Sequence, residues 1–210
     1  MASLYTSLQD YLYEQQSTTN LLLPDSYEYL TALPIEQYQA TQRQDQPALI
    51  ARPRNAYDVQ VLVLYCRLNN VEFAVRTGGN DYAGNTETQN LLWIDMHDID
   101  YVDVAEDGTT ANVGGGILFR GLTQALAQEG LVNPAGTIAN VGYAGWAMLG
   151  GYGPFSAVYG LGADQVVGAK VVDSDAELVE VGNEALDGLM SGDIFGVIVE
   201  LTIKYISRGS

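Results

Sequence analysis

The chain has 210 residues, 47% of them hydrophobic and 17% charged, which is enough apolar content for the core of one domain or of two small lobes sharing an interface. Its net charge of −17, with Lys170 and Lys204 the only lysines, rules against a nucleic-acid surface or an anionic-membrane surface. No apolar run approaches the ~20 residues that span a bilayer, and the single cysteine, Cys66, can form no internal disulfide.

The N-terminus lacks the basic region and long apolar run of a secretory signal, so a cytoplasmic setting is expected. Residues 1–46 read as a polar, tyrosine-rich, helical lead-in. Leu4, Leu8, Tyr11 and Leu12 recur at helical spacing, a second helical turn falls near 26–33, and 36–46 reads as a linker. Tyr5, Tyr11, Tyr13, Tyr27, Tyr29 and Tyr38 are expected to pack against the main domain rather than to form an aromatic surface.

From Pro47 the pattern alternates between strand and helix. Residues 48–51 read as a strand, Asn55 caps a helix running to about Asn69, and 71–75 form the next strand. Cys66 falls inside that helix and is expected to be a small buried hydrophobe. Further strands are predicted over 91–95, 102–104, 110–113, 166–172, 178–181 and 197–206. A helix over 117–128 carries Leu118, Leu122 and Leu126 on one face and stops at Gly130. The order is that of an α+β fold rather than one doubly wound sheet.

After the 71–75 strand comes Arg76-Thr77-Gly78-Gly79-Asn80-Asp81-Tyr82-Ala83-Gly84. Two adjacent glycines let the chain turn where side chains would clash. Successive backbone N–H groups in such a turn converge into an anion-binding concavity, although the same pair also serves a tight turn with no ligand. Gly114-Gly115-Gly116, Gly136-Thr137, Gly142, Gly145 and Gly150-Gly151-Tyr152-Gly153 follow. That density points to several backbone segments lying against one extended, partly anionic ligand.

The 76–84 stretch resembles the pyrophosphate loop of FAD-linked oxidases with the PCMH-type flavin domain. It is closest to the berberine-bridge-enzyme-like branch, where the loop reads Arg-x-Gly-Gly-His-(Ser/Asp)-Tyr-x-Gly. The likeness extends over 47–205, through Leu92-Trp-Ile-Asp95, Val113-Gly-Gly-Gly116, Pro134-Ala-Gly-Thr137, Gly150-Gly-Tyr-Gly153, Tyr159-Gly-Leu-Gly-Ala-Asp164 and Phe195-Gly-Val-Ile198. It implies two α+β lobes, about 47–95 and 96–206, with FAD between them. The cofactor-binding residues it implies are Thr77, Gly78, Gly79, Asn80, Asp81 and Tyr82 in the first loop, then Gly136, Thr137, Asn140, Val141, Gly142, Gly145, Gly150 and Ile198. It also implies a substrate domain after the equivalent of Tyr205, which this chain is expected to lack.

At the flavin face the chain departs from the pattern. Asn80 stands where the family carries a flavin-linked histidine, and Ile138 where bicovalent members carry cysteine. Neither side chain can form those bonds, so the implied FAD is non-covalent. Trp146 and Leu149 replace a histidine and a glycine, and their bulk is expected to crowd the ring and to weaken or abolish FAD binding. Residues 189–194 are shorter than the family's glycine-rich segment. Tyr143, Trp146 and Tyr152 are the candidate catalytic residues. His97 reads as a surface residue, and no His/Cys cluster offers a metal site.

Three functions stay open on these residues. The first is a compact FAD-linked oxidoreductase acting on a small organic secondary metabolite. The second is a non-redox cyclase, isomerase or pericyclase reusing the cleft. The third is a non-enzymatic small-molecule binding protein. In each case the open cleft is expected to be covered by a second copy or a partner subunit.

Overall fold

The computed structural model describes residues 3–33, 46–81, 90–106, 108–182 and 196–207. Two sheets are built in sequence. The first has the order β1-β2-β4-β3, with β1 Asn20–Leu22, β2 Leu49–Arg52, β3 Phe73–Arg76 and β4 Leu92–Asp95. Strands β2, β3 and β4 run parallel, with β4 in the middle, and β1 is added antiparallel to β2. The second sheet is antiparallel throughout, in the order β5-β6-β10-β8-β9, with β5 Val102–Val104, β6 Thr110–Gly114, β8 Val166–Asp173, β9 Leu178–Gly182 and β10 Gly196–Lys204; β7 (Leu131–Val132) pairs separately with β11 (Ile206–Ser207). This is an α+β architecture of two lobes, one built on each sheet.

Helix α3 (Ala56–Asn69) connects β2 to β3. Asn55 caps it by accepting the Asp58 N–H, and Asn70 ends it in the left-handed region at φ 51°. Its apolar residues pack on β2, β4 and the start of β10, with Cys66 among them. Burial pushes the Cys66 thiol up to about 12, so it behaves there as a hydrophobe.

The lead-in is more than helical. Helix α1 (Leu4–Glu14), capped by Ser3, buries Leu8 and Leu12 in the α3 core, and β1 extends the first sheet. Asp58 fixes this arrangement. Its carboxylate accepts from Ser17 Oγ (2.7 Å), Thr18 N (2.8 Å), Thr18 Oγ1 (2.6 Å), Arg54 N (3.0 Å) and Asn55 Nδ2 (3.2 Å). Tyr29, in α2 (Tyr27–Ala32), is buried and donates to Pro47 O, whereas Tyr13 and Tyr27 are exposed. The reading of 36–46 as a linker and the placement of Tyr38 fall mostly or wholly outside the described residues.

In the second lobe, α4 (Phe119–Gln128) and α5 (Tyr143–Met148) cover one face of the antiparallel sheet. Gly130, at φ 71°, follows α4 as a left-handed stop. Strand β10 changes register between Ile198 and Glu200. Val197, before this bulge, and Val199, within it, enter the core around α3; beyond it, Leu201 and Ile203 enter the core under α4 and α5. One strand thus serves both lobes.

Candidate functional site

Loop 77–81 leaves the C-terminal end of β3 and runs against the second lobe. Gly78 lies flush on residues 140–142, where a Cβ would sit 2.5 Å from Asn140 O and 2.7 Å from Gly142 N. Gly142 in turn packs on the Thr77 side chain, and Thr77 Oγ1 donates to Gly115 O at 3.4 Å. The two glycines serve different ends. Gly79 has the left-handed backbone, φ 65°, whereas Gly78 is required by close approach.

Asn80 closes the junction. Its Nδ2 donates to Gly78 O at 2.8 Å and to Asn140 O at 3.1 Å, so the amide is held between the two loops. Among the described residues, no acceptor takes the backbone N–H of Gly78, Gly79 or Asn80. Asp81 is half-buried beside them, and Tyr82 lies outside the described residues.

Beneath the turn, a Cβ on Gly79 would meet the Arg76 guanidinium, 2.9 Å from Nη2. That guanidinium lies over the Trp93 ring at 5.5 Å and pairs with Asp95 Oδ2 at 3.8 Å. Arg52 Nε reaches the same oxygen at 2.8 Å, and the Asp95 side chain is fully buried.

The remaining predicted residues divide into two groups. Val141 exchanges backbone bonds with Ile138 and Phe119, Gly142 precedes α5, and Ile198 approaches Gly115 through its carbonyl; these sit at the junction. Gly136 packs on the Phe119 ring, with Thr137 exposed next to it. Gly145 is exposed on α5 with nothing within 4 Å of a Cβ, and Gly150 is equally open at φ 96°. The Gly114–Gly116 run and Gly153 face protein carbonyls of Ile99, Ile198, Met96 and Ala135, so their lack of side chains serves chain packing. Glycine density alone therefore overstates the ligand-facing backbone.

Trp146 and Leu149, expected to crowd the flavin ring, are placed differently from each other. Trp146 is folded into the protein, with its ring on Gly162 and Gly151, edge-on to Phe119 at 5.0 Å, and its Nε1–H donating to Tyr152 O at 3.1 Å. The glycines around it take up its volume. Leu149 is 91% exposed and overpacks no protein group. Tyr143 is fully buried, and burial drives its hydroxyl well above the ordinary tyrosine range. The Tyr152 side chain, by contrast, is 81% exposed.

A feature missed in the sequence accompanies Tyr152. From Gly130 to Ala163 the chain carries no charged side chain and no histidine. Ile138, Leu149, Tyr152, Phe155, Val158 and Tyr159 of that stretch are all exposed. In a chain of net charge −17, such a run marks a surface suited to apolar contact.

The FAD binding domain family matches residues 47–182, well over half of the chain. The chain belongs to this family. It is 29% identical over 163 residues to (R)-6-hydroxynicotine oxidase of Paenarthrobacter nicotinovorans, covering 75% of this chain and 36% of that protein. It is 32% identical over 171 residues to berberine bridge enzyme-like D-1 of Nicotiana tabacum, covering 76% and 30%. The solved 6-hydroxy-D-nicotine oxidase of Arthrobacter nicotinovorans superposes with a TM-score of 0.83 at 26% identity, over 92% of this chain and 43% of that one. The chain spans about a third of the length of these curated relatives.

FAD is the cofactor of this family, and the junction fits it. The Gly78–Asn80 turn presents unclaimed N–H donors, no side chain rises from its glycines, and a guanidinium lies below. That donor set suits a diphosphate. Among the described residues no group of His, Cys, Asp or Glu is placed to hold a metal ion.

Proposed function

We propose that this chain is the FAD-holding module of an FAD-linked oxidoreductase that acts on a small organic metabolite and binds its flavin non-covalently. The observation that carries this reading is the junction of Gly78 with 140–142, where two lobes meet around a turn with free N–H donors. Thr77, Gly78, Gly79 and Asn80 would hold the diphosphate, with Asn140, Val141 and Gly142 on its other side and Ile198 behind. Bound FAD supplies hydride acceptance, which no amino-acid side chain offers.

Non-covalent attachment is supported by the chemistry and placement of Asn80 and Ile138. The Asn80 amide is already committed to two carbonyls, and Ile138 is alkyl. Catalytic acid–base work is assigned outside the described chain. The Tyr143 hydroxyl is buried and held far above neutral pH, and Tyr152 stands in solvent.

The uncharged face with Leu149 and Tyr152 would dock the polypeptide that completes the site, whether a further segment of the protein or another subunit. Titration of purified protein with FAD tests the reading: a shifted flavin spectrum at micromolar concentrations is expected. No spectral change and no quenching of flavin fluorescence would overturn it.

A further inference from the structure

We propose that Tyr101, Lys170 and Glu200 clamp the bulge of β10 and are positioning residues for the diphosphate turn, acting on Thr77 through Gly115. The proposal rests on the FAD reading above and adds what holds the far wall of the junction in place. Glu200 is buried on β10, and its carboxylate is held at both oxygens. Tyr101 donates its hydroxyl to Oε2, and Lys170 Nζ pairs with Oε1 at 3.0 Å.

These residues lie in one row across the second sheet. Gly114 faces Glu200 on one side and Lys170 faces it on the other, and the Gly114 N–H donates to Tyr101 O at 2.9 Å. Gly114 has no side chain to part Tyr101 from Glu200. The neighbouring Val113, Ala169, Val171 and Leu201 turn to the core under α4 and α5, so the clamp grips the opposite face.

The clamp sits where β10 needs holding. Between Ile198 and Glu200 the register against β8 shifts, and Val199 is the extra residue. A slip of one position would exchange the residues that face the two cores. Glu200, bonded on both sides, opposes that slip. From the bulge, Val199 O accepts the Gly115 N–H at 2.9 Å, and a Cβ on Gly115 would lie 2.0 Å from Ile198 O. Gly115 O in turn accepts from Thr77 Oγ1 at 3.4 Å. A bond already that long is lost on a small further shift. Thr77 therefore keeps this partner only while the bulge keeps its place.

Calorimetric titration with ADP, which carries the diphosphate without the flavin, reads the coupling in a double-mutant cycle. Tyr101→Phe keeps the ring and removes the donor; ADP affinity is expected to fall about three- to tenfold as the turn loses its preformed shape. In a Thr77→Val background, where no hydroxyl reaches Gly115, the same change should cost less than about twofold. A clamp that only stabilises the sheet would lower the melting temperature and leave ADP affinity unchanged, or lower affinity equally in both backgrounds. Either result overturns the proposal. If Tyr101→Phe does not fold, Lys170→Gln, at a side chain 39% exposed, takes its place in the cycle, and Thr77→Ala likewise replaces Thr77→Val. Wild-type protein that binds neither FAD nor ADP overturns the functional reading itself, whereas wild-type binding without the coupling overturns this proposal alone.

Discussion

The Asn80 amide donates to the carbonyl of Asn140 at 3.1 Å, joining the loop after β3 to the loop before α5. A second bond, 2.8 Å to Gly78 O, ties the same amide to its own turn. Asn80→Ala removes both. At about 0.5–1.5 kcal/mol each, the melting free energy should fall by about 1–3 kcal/mol. FAD affinity should fall by about tenfold as the seat loses its preformed shape. Acid precipitation of FAD-loaded wild type should release all of the flavin; a fluorescent band on a denaturing gel would contradict this.

Gly78 and Gly145 separate two causes of glycine usage. Gly78→Ala drives a methyl group into the backbone of Asn140 and Gly142, which no rotamer relieves. Overpacking of that kind costs about 1–3 kcal/mol. Gly145→Ala meets no atom within 4 Å and lies in α5, so the apoprotein should gain about 0.5–1 kcal/mol. If Gly145 also approaches the flavin, the same variant loses FAD affinity while its apo melting temperature rises. Paired melting and flavin titrations read both effects.

Asp58 should set an acid limit on stability. Burial opposes its charge, but bonds from Thr18, Arg54 and Ser17 outweigh burial and lower its pKa. A depressed carboxylate contributes stability that is fully present above the unfolded value of ~3.9 and is lost as pH falls through the folded value. Its contribution to melting should be flat from pH 7 to about 5 and should decline below about 4. Asp58→Asn should cost about 1–3 kcal/mol at neutral pH and flatten the acid limb.

Leu149 tests the uncharged face. Because it is 91% exposed, Leu149→Lys should change stability by less than about 0.5 kcal/mol. Any concentration-dependent rise in mass by light scattering should shrink. An unchanged association curve would place the contact elsewhere.

Cys66 gives a simple measure of core integrity. It is buried with its thiol held up to about 12, so a disulfide reagent at pH 8 should leave it unmodified in the native protein. Full labelling should appear only with denaturant. Rapid native labelling would mean that the α3 core opens readily.

The parts legible in the sequence were those with strong local causes. Helix α3 carries its own cap at Asn55 and its own stop at Asn70, and the Gly78–Gly79 turn carries its pattern in adjacent residues. Strand β1 was not legible, because three residues make no period and its pairing is decided by β2. For Trp146 and Leu149 sequence gives volume but not direction. One ring is received by Gly151 and Gly162, and the other side chain turns outward. The need for glycine at 78 was not legible locally, because it comes from contact with a distant loop and not from positive φ.

The bulge in β10 bears on how the molecule comes apart. Val197 and Val199 belong to one core and Leu201 and Ile203 to the other, along an unbroken run of backbone. Neither half can open without pulling this strand from the other's interior. Amide protons of Val199 and Leu201 should therefore exchange with deuterium at the same slow rate, through global unfolding alone.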